Sequence, residues 1–199
     1  MIEVSNLTKR YGEFTAVDNI SFQVKTGEVF SLLGPNGAGK TTTIEILQGL
    51  KHPTSGQVDV LGYDLNKDEK KIKNQIGVMP QNFNAFERLT ARENIQLIAD
   101  IYGKEKKVEE VLELTGVKHF QSKLYLNLSG GMQTKVGIGM ALVSEAPLLF
   151  LDEPTTGLDP QARREVWEMI EKLKEIDKTI LLTSHYEKTS RKPTALAVG

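Results

Sequence analysis

Cysteine, an excess of charge of one sign and long apolar runs are all missing from this chain of 199 residues. Without cysteine the sequence offers no disulfide scaffold, no cysteine-ligated zinc site and no thiol nucleophile. The 25 basic and 26 acidic residues leave a net charge of −1, which argues against nucleic-acid binding by bulk charge attraction. No apolar run approaches the roughly 20 residues that span a bilayer, and the first residues lack the pattern of a secretory signal. We therefore expect a cytoplasmic protein, which would need another chain to span any membrane where it works.

Short apolar segments bounded by turn residues alternate with helical patterns, which is typical of an α/β fold. The length predicts one domain, or one domain with a small lobe. Leu148–Leu151 is wholly apolar, as expected for a parallel strand covered on both faces. Ile20–Val24 and Glu28–Leu33 flank the turn residues Lys25–Gly27 and predict a hairpin. The other predicted strands are Gln57–Leu61, Ile76–Met79 and Thr179–Thr183, and the predicted helices are Thr41–Leu50, Ala91–Tyr102, Lys106–Leu114 and Gln161–Ile176.

The strongest chemical signal is a glycine-rich loop between a predicted strand and a predicted helix. It reads G-x-x-x-x-G-K-[ST], the pattern of a phosphate-binding loop. Glycines let successive backbone N–H groups converge on a phosphate, and the helix N-terminus adds donors and a positive dipole end. Lys40 can reach the β- and γ-phosphates of a nucleotide, and the Thr41 hydroxyl can bind Mg²⁺. The residues predicted to bind the nucleotide here are Gly34, Pro35, Asn36, Gly37, Ala38, Gly39, Lys40, Thr41 and Thr42.

Two carboxylates, Asp152 and Glu153, directly follow the apolar strand Leu148–Leu151. In doubly wound sheets ligands bind at the carboxyl ends of the strands, so we predict that Asp152 faces the phosphate-binding loop and holds Mg²⁺ through water. Consecutive strand side chains diverge, so Glu153 should have a separate role, in which it polarises the attacking water as a base or orienter. The alternative is two solvated acids at a strand end, which the neighbouring phosphate-binding loop makes a poor explanation.

A second candidate phosphate site begins at Ser129, which can cap a helix and is followed by Gly130 and Gly131, whose N–H groups are exposed. The simpler interpretation is a helix start without a ligand. Further along, Gly137 and Gly139 weaken this helix by about 1 kcal/mol each relative to alanine. We expect these two glycines to permit the close packing of a neighbouring backbone.

Together these motifs resemble the ATP-binding cassette (ABC) ATPases, the nucleotide-binding subunits of ABC transporters. The resemblance runs from Met1 to about Tyr186, with the motifs in the order that the family has. The segment Leu128–Gln133 is similar to the family's signature segment. The other matching positions are Gln81 for the glutamine loop, Gly157–Pro160 for the loop after the acidic strand, His185 for the switch histidine and Tyr11 for the aromatic residue that stacks on adenine.

The resemblance implies a P-loop NTPase (RecA-like) core with a mostly parallel central sheet, an N-terminal antiparallel β lobe and a helical signature lobe. The chain would be a single ABC ATPase domain, with the core and β lobe at about 1–81 and 143–186, the helical lobe at about 82–142 and an atypical tail at 187–199. Relatives usually continue after the histidine through an acidic helix and further strands, which this tail does not resemble. Loss of those elements would uncover a sheet edge or an apolar face, so we expect reduced stability or altered dimerisation unless the tail substitutes for them.

The resemblance also implies a mechanism in which two copies close head to tail on two ATP molecules. Ser129, Gly130 and Gly131 of one copy would cap the γ-phosphate held by the loop of the other, and Asp159 would communicate across the dimer. The expected partners are another ABC ATPase subunit, as a homodimer or heterodimer, and a separate transmembrane permease; no nucleic acid is expected. The chain would then lie on the cytoplasmic face of the membrane through its permease.

Within each ATP site the resemblance gives roles to single side chains. His185 would contact the γ-phosphate and hold the attacking water with Glu153, and Lys40 would complete the catalytic set. Tyr11 would stack on the adenine, whereas its structural alternative is an ordinary edge-strand aromatic. Gln81 would report the nucleotide state to the membrane subunit and would complete the Mg²⁺ ligands, which are Thr41, Gln81 and Asp152.

Three functions remain open on these residues. The first is an ATPase subunit of a transporter, and the segments Thr90–Asn94 and Leu158–Arg164 resemble exporter-type subunits more than importers. The second is a soluble ABC protein that acts on the ribosome or nucleic acid, which a single cassette without a basic stripe disfavours. The third is an ATP-binding regulator without efficient hydrolysis; Glu153 and His185 argue against it, and the atypical tail keeps it open.

Overall fold

The computed structural model describes residues 1–184 and 194–197, so His185 and most of the atypical tail lie outside the described residues. The strands are β1 (Ile2–Tyr11), β2 (Phe14–Val24), β3 (Val29–Leu33), β4 (Ser55–Val60), β5 (Tyr63–Asp64), β6 (Ile76–Met79), β7 (Leu148–Leu151), β8 (Thr179–Ser184) and β9 (Thr194–Ala197). The α-helices are α1 (Lys40–Leu47), α2 (Leu65–Lys73), α3 (Ala91–Tyr102), α4 (Val108–Leu114), α5 (Gly130–Leu142) and α6 (Pro160–Glu175). None of the described helices combines the length and hydrophobicity that crossing a bilayer would require.

The strands form an antiparallel sheet in the order β2-β1-β4-β5 and a parallel sheet in the order β6-β7-β8-β3-β9. The parallel sheet lies between two apolar cores. On one face Leu149 and Leu151 pack with residues of α3–α6. On the other face Leu148 and Phe150 pack with residues of α1, α2 and the antiparallel sheet. This burial on both faces explains why β7 contains no polar residue, and it confirms the predicted strand.

Capping residues set the ends of the longer helices. Thr90 and Glu93 form a capping box at the start of α3, and Gly103, with a φ of 64°, ends it. The predicted helix Ala91–Tyr102 is therefore confirmed with its bounds. Ser129 caps α5, and Asp159 caps α6, where a proline occupies the first position.

The predicted hairpin between Ile20–Val24 and Glu28–Leu33 is wrong. β2 pairs antiparallel with β1, whereas β3 pairs parallel with β8 and β9 in the other sheet. The predicted turn between β2 and β3 is present: the Glu28 N–H donates a hydrogen bond to the Lys25 carbonyl oxygen at 3.3 Å. A local turn signal does not specify which sheet the next strand joins.

The predicted helix Thr41–Leu50 ends at Leu47, and Leu50 does not belong to the core. Gly49, with a φ of 71°, follows the end of the helix. Ile44 and Leu47 are buried as predicted, but the Leu50 side chain is 62% exposed.

Gly137 and Gly139 approach side chains rather than a neighbouring backbone, which corrects the expectation. A Cβ on Gly139 would lie 2.8 Å from Ile95 Cδ1, and one on Gly137 would also meet side-chain atoms first. The close backbone approach to α5 is made instead by Gly77 of β6, where a Cβ would lie 2.3 Å from the carbonyl oxygen of Ala141.

The described part of the atypical tail forms a strand of the parallel sheet. β9 pairs in parallel with β3, with Thr194 opposite Phe30 and Ala197 opposite Leu33. This part of the tail therefore lies beside β3 as a strand of the same sheet.

Candidate active site

The glycine-rich loop connects the end of β3 to the start of α1, as predicted. Gly39 is the N-cap of α1 with a φ of 84°, and a Cβ there would lie 2.3 Å from the carbonyl oxygen of Ala16. Glycine is therefore required at this position both by conformation and by space. α1 begins without a side-chain cap and without an acidic residue in its first turn. Its first N–H groups and the positive end of its dipole thus favour an anion at the loop.

The ammonium group of Lys40 is held within this loop. Lys40 is 5% exposed, and its Nζ donates to the carbonyl oxygens of Gly34 at 2.7 Å and Pro35 at 3.0 Å. Both acceptors are neutral, so they orient the positive charge without cancelling it. This arrangement suits a group that binds a phosphate oxygen.

Asp152, which follows β7, is buried close to this positive charge. Its carboxylate accepts a hydrogen bond from the Thr183 hydroxyl, and its N–H donates to the Met79 carbonyl at 2.9 Å. Burial raises the pKa of the Asp152 carboxyl above its ordinary value, and the Thr183 hydrogen bond and the Lys40 charge partly offset that rise. The charged form of Asp152 would therefore be stabilised by an additional cation.

Glu153 has a φ of 51°, which is uncommon for a residue other than glycine. Its N–H donates to the Thr183 hydroxyl at 2.8 Å. Its carboxylate Oε2 accepts from Gln81 Nε2 at 3.1 Å and from Thr156 Oγ1 at 3.0 Å. The structure thus brings Gln81 and Glu153 into direct contact, and it gives the side chains of Asp152 and Glu153 different hydrogen-bond partners.

The residues of the second predicted phosphate site contact the start of α6. The Ser129 hydroxyl accepts from an N–H of the first turn of α5 at 3.4 Å. A Cβ on Gly131 would lie 2.7 Å from the Cβ of Ala162. The Asp159 carboxylate caps α6 by accepting from the N–H groups of Gln161 and Ala162, both at 2.9 Å. Sequence analysis missed this capping role, although an aspartate before a proline at a helix start is its usual signal.

Tyr11 lies at the end of β1 and is 45% exposed. The Nζ atoms of Lys9 and Lys51 lie 5.0 and 5.5 Å from its ring centroid, and Lys51 also pairs with Glu45 at 2.7 Å. Such ammonium groups are attracted to the face of an aromatic ring. Sequence analysis did not identify these lysines, although Lys9, two residues earlier in the strand, shares a face with Tyr11.

Two threonines that sequence analysis missed hold the acidic pair, namely Thr183 and Thr156. The signal in the sequence that could have identified Thr183 is its position directly after the aliphatic run Ile180–Leu182 of β8. The predicted switch histidine, His185, lies outside the described residues.

The donors at this site fit Mg²⁺, which prefers oxygen ligands and usually combines one or two side chains with waters and phosphates. Asp152 offers a buried carboxylate. Among the described side chains, Thr183 donates a hydrogen bond to this carboxylate. Thr41 offers a hydroxyl at the start of α1. Among the described residues, no group of three or more His, Asp or Glu side chains could hold a metal by itself.

Comparisons with known proteins agree with this geometry. Residues 17–156 match the family described as ABC transporter. The chain is 42% identical over 191 residues to the linearmycin resistance ATP-binding protein of Bacillus subtilis (strain 168), covering 94% of this chain and 61% of that protein. It is 44% identical over 188 residues to the bacitracin transport ATP-binding protein of Bacillus licheniformis, covering 93% and 61%. The chain thus spans about 61% of the length of these curated relatives.

A solved structure gives the same result for the fold. The dimeric post-hydrolysis state of the ATP-binding cassette MJ0796, bound to ADP and Pi, is 31% identical to this chain with a TM-score of 0.79, and the match covers 94% of this chain and 88% of that one. The chain therefore belongs to the ABC transporter family, and its fold is the P-loop NTPase fold of the family's ATP-binding cassettes.

Proposed function

We propose that this protein is the ATP-hydrolysing, nucleotide-binding subunit of an ABC transporter. The observation that carries the proposal is that three features lie close together. They are the loop that holds Lys40 at the start of α1, the buried carboxyl of Asp152 and the hydrogen-bonded carboxylate of Glu153. Phosphoryl transfer to water needs a phosphate cradle, a charge-neutralising cation and an oriented water. The loop can supply the phosphate cradle, Asp152 can bind the cation, and Glu153 can orient the water.

In this proposal the residues from Gly34 to Thr42 bind the triphosphate, and Lys40 neutralises charge on its β- and γ-phosphates. Thr41, Asp152 and Gln81 would hold Mg²⁺, which would supply further charge neutralisation when bound. Glu153 orients and deprotonates the attacking water, with His185 as its partner. Gln81 must then leave the Glu153 carboxylate, to which it donates a hydrogen bond here.

We further propose that the chain is a single cassette that works in pairs. Ser129, Gly130 and Gly131 of one copy would cap the γ-phosphate of the other, Asp159 would link the two sites, and Tyr11 would stack on adenine. The solved relative described as dimeric and bound to ADP and Pi supports this arrangement. The lobes would follow the predicted boundaries, with a helical lobe at about 82–142.

A separate permease is the proposed membrane partner, and a groove beside β6 is its proposed docking site. The groove has a volume of about 420 Å³ and lies between the end of α1, β6, α3 and α5. Its apolar lining includes Leu50, Val78, Phe83 and Tyr102, and the large exposed fraction of Leu50 supports a surface that such a partner would cover. A short apolar helix of the permease would fit it. Another relative, of Burkholderia orbicola (strain AU 1054) and 40% identical over 190 residues, is named Nod factor export ATP-binding protein I, and this name supports an exporter-type permease.

Substitution of Glu153 tests the hydrolytic role. Glu153→Gln keeps the size of the side chain and one acceptor oxygen but removes the base, so we expect steady-state ATP hydrolysis to fall by about 100-fold or more. Binding of ATP, measured by calorimetry, should persist within about three-fold of wild type, and any ATP-driven dimer should accumulate. Glu168→Gln, on the exposed face of α6, is the matched control and should hydrolyse normally. Unchanged turnover in Glu153→Gln would refute the assigned role.

A further inference from the structure

One hydroxyl group touches both acidic residues of the site. Thr183 Oγ1 donates its proton to Asp152 Oδ1 and accepts the N–H of Glu153 at 2.8 Å. A hydroxyl has one proton and two lone pairs, so this use fixes its orientation. Thr183 is completely buried near the carboxyl end of β8, beside β7 in the parallel sheet.

Each of the two contacts meets a specific need. The Asp152 carboxylate is buried, and among the described side chains Thr183 supplies its hydrogen bond. Glu153 has a positive φ, and the bond from its N–H to Thr183 holds the backbone at that angle. The same atom thus orients a carboxylate and stabilises a strained peptide unit one residue later.

We infer that Thr183 is a positioning residue that sets the placement of Asp152 and Glu153 together. The inference rests on the proposed function for the roles of those two acids, but the geometry of Thr183 is independent of it. Through Asp152, the hydroxyl orients the carboxylate toward a nucleotide-bound Mg²⁺. Through its bond to the Glu153 N–H, it fixes the backbone from which the Glu153 side chain extends. Thr156 and Gln81 then donate hydrogen bonds to the carboxylate of that side chain.

The chain contains a matched control on the same strand. Thr179 begins β8, is also completely buried, and accepts the Gly27 N–H at 2.9 Å through its hydroxyl. Both Thr179→Val and Thr183→Val remove a buried hydroxyl while keeping the shape of the side chain. Only Thr183→Val removes one that contacts the acidic pair, so the comparison separates a general cost of burial from a positioning effect.

The first readout is the Mg²⁺ concentration that half-saturates ATP binding, followed with a fluorescent ATP analogue, beside binding of the same analogue in EDTA. Removal of a hydrogen-bond partner behind a metal ligand typically costs 10–100-fold in metal affinity or activity. We expect Thr183→Val to need about 10-fold more Mg²⁺ and to bind the analogue normally in EDTA. Thr179→Val and Thr183→Ser should resemble wild type in both measurements.

The second readout is kinetic. In Thr183→Val we expect kcat to fall about 10-fold or more at saturating Mg²⁺, with a smaller change in KM, because Glu153 acts on the attacking water rather than in ATP binding. Equal Mg²⁺ dependence and equal kcat in Thr183→Val and Thr179→Val would overturn the inference. If Thr183→Val does not fold, Thr183→Ser decides the question, since a 10-fold shift despite its retained hydroxyl would also overturn it. An inactive wild type would count against the proposed function alone, and the Mg²⁺ dependence of binding would still test Thr183.

Discussion

Three residues of the proposed ATP site have features that cost the folded chain stability. Lys40 and Asp152 are charged groups in buried positions, and Glu153 has a positive φ. Buried charge and backbone strain persist only where the surroundings hold them, here through loop carbonyls and the Thr183 hydroxyl. Such groups are typical of positions shaped by chemistry rather than by stability.

Tyr11 offers a test of the adenine contact by a single side chain. Stacking of a base on an aromatic ring contributes about 1–3 kcal/mol, so Tyr11→Ala should weaken ATP binding by about 5- to 150-fold. Tyr11→Phe keeps the ring and should bind within about two-fold of wild type. Calorimetric titration with Mg²⁺-ATP measures both. Tyr102→Ala, which removes a similarly exposed ring from α3, is the control. Unchanged affinity in Tyr11→Ala would make Tyr11 an ordinary edge-strand aromatic.

The contact between β6 and α5 depends on a glycine of the strand. Gly77→Ala would place a Cβ 2.3 Å from the Ala141 carbonyl oxygen, which cannot move without displacing α5. We expect the free energy of unfolding to fall by about 2–3 kcal/mol, measured by urea denaturation. Gly137→Ala is the control, because its new Cβ first meets side-chain atoms and the helix gains about 1 kcal/mol in propensity. Equal destabilisation in both variants would contradict this account.

An ion-paired cluster connects the segment between α3 and α4 to the loop that precedes β7. Glu145 has a φ of 61° and accepts from Lys104 at 2.7 Å and from Lys107 at 3.0 Å. Hydrogen bonds from Lys104 and then Lys107 lower the pKa of Glu145 from 4.5 to about 2. All three side chains are more than a third exposed, so the stabilisation is small and screened by salt.

Replacing Glu145 with glutamine should therefore lower Tm by roughly 1–2 °C at neutral pH and low ionic strength. Because the pKa is depressed in the folded state, the stabilisation is fully present above pH 4.5 and is lost as the pH falls toward about 2. Melting curves at neutral and acid pH, with and without about 1 M salt, should show the variant and wild type converging in acid and in salt. A difference that persists under both conditions would point to packing rather than charge.

Elements with a complete local signal were predictable from the sequence, and contacts between distant elements were not. Helix α3, which the capping box at Thr90 begins, and the apolar strand β7 both have the bounds that were predicted from the sequence. The hairpin failed because sheet membership depends on which distant strands β3 joins. The threonine near the end of β8 was visible in the sequence, but its contact with Asp152 was not predictable, since the β7–β8 register brings the two residues together. The P-loop glycines were predictable because their chemistry is local.

The whole molecule is organised around β3, the strand that leads into the phosphate-binding loop. β8 and β9 flank it in the parallel sheet, and β8 also carries Thr183. The position of Lys40 relative to Asp152 therefore depends on the alignment of β3, β8 and β7. The hydrogen bonds that β3 makes with β8 on one side and β9 on the other should therefore stabilise the site as well as the fold.

Separate proline substitutions at Ala195 and Leu196 test this dependence. Successive residues of a strand direct their N–H groups to opposite sides, so only one of these two positions donates to β3. Proline has no N–H, and the variant that loses this bond should be less stable than the other by about 1–2 kcal/mol in urea denaturation. The same variant should bind Mg²⁺-ATP more weakly, because β3 ends at the loop that holds the phosphates. If both variants match wild type in stability, β9 does not support β3 in solution, and another segment must cover that edge.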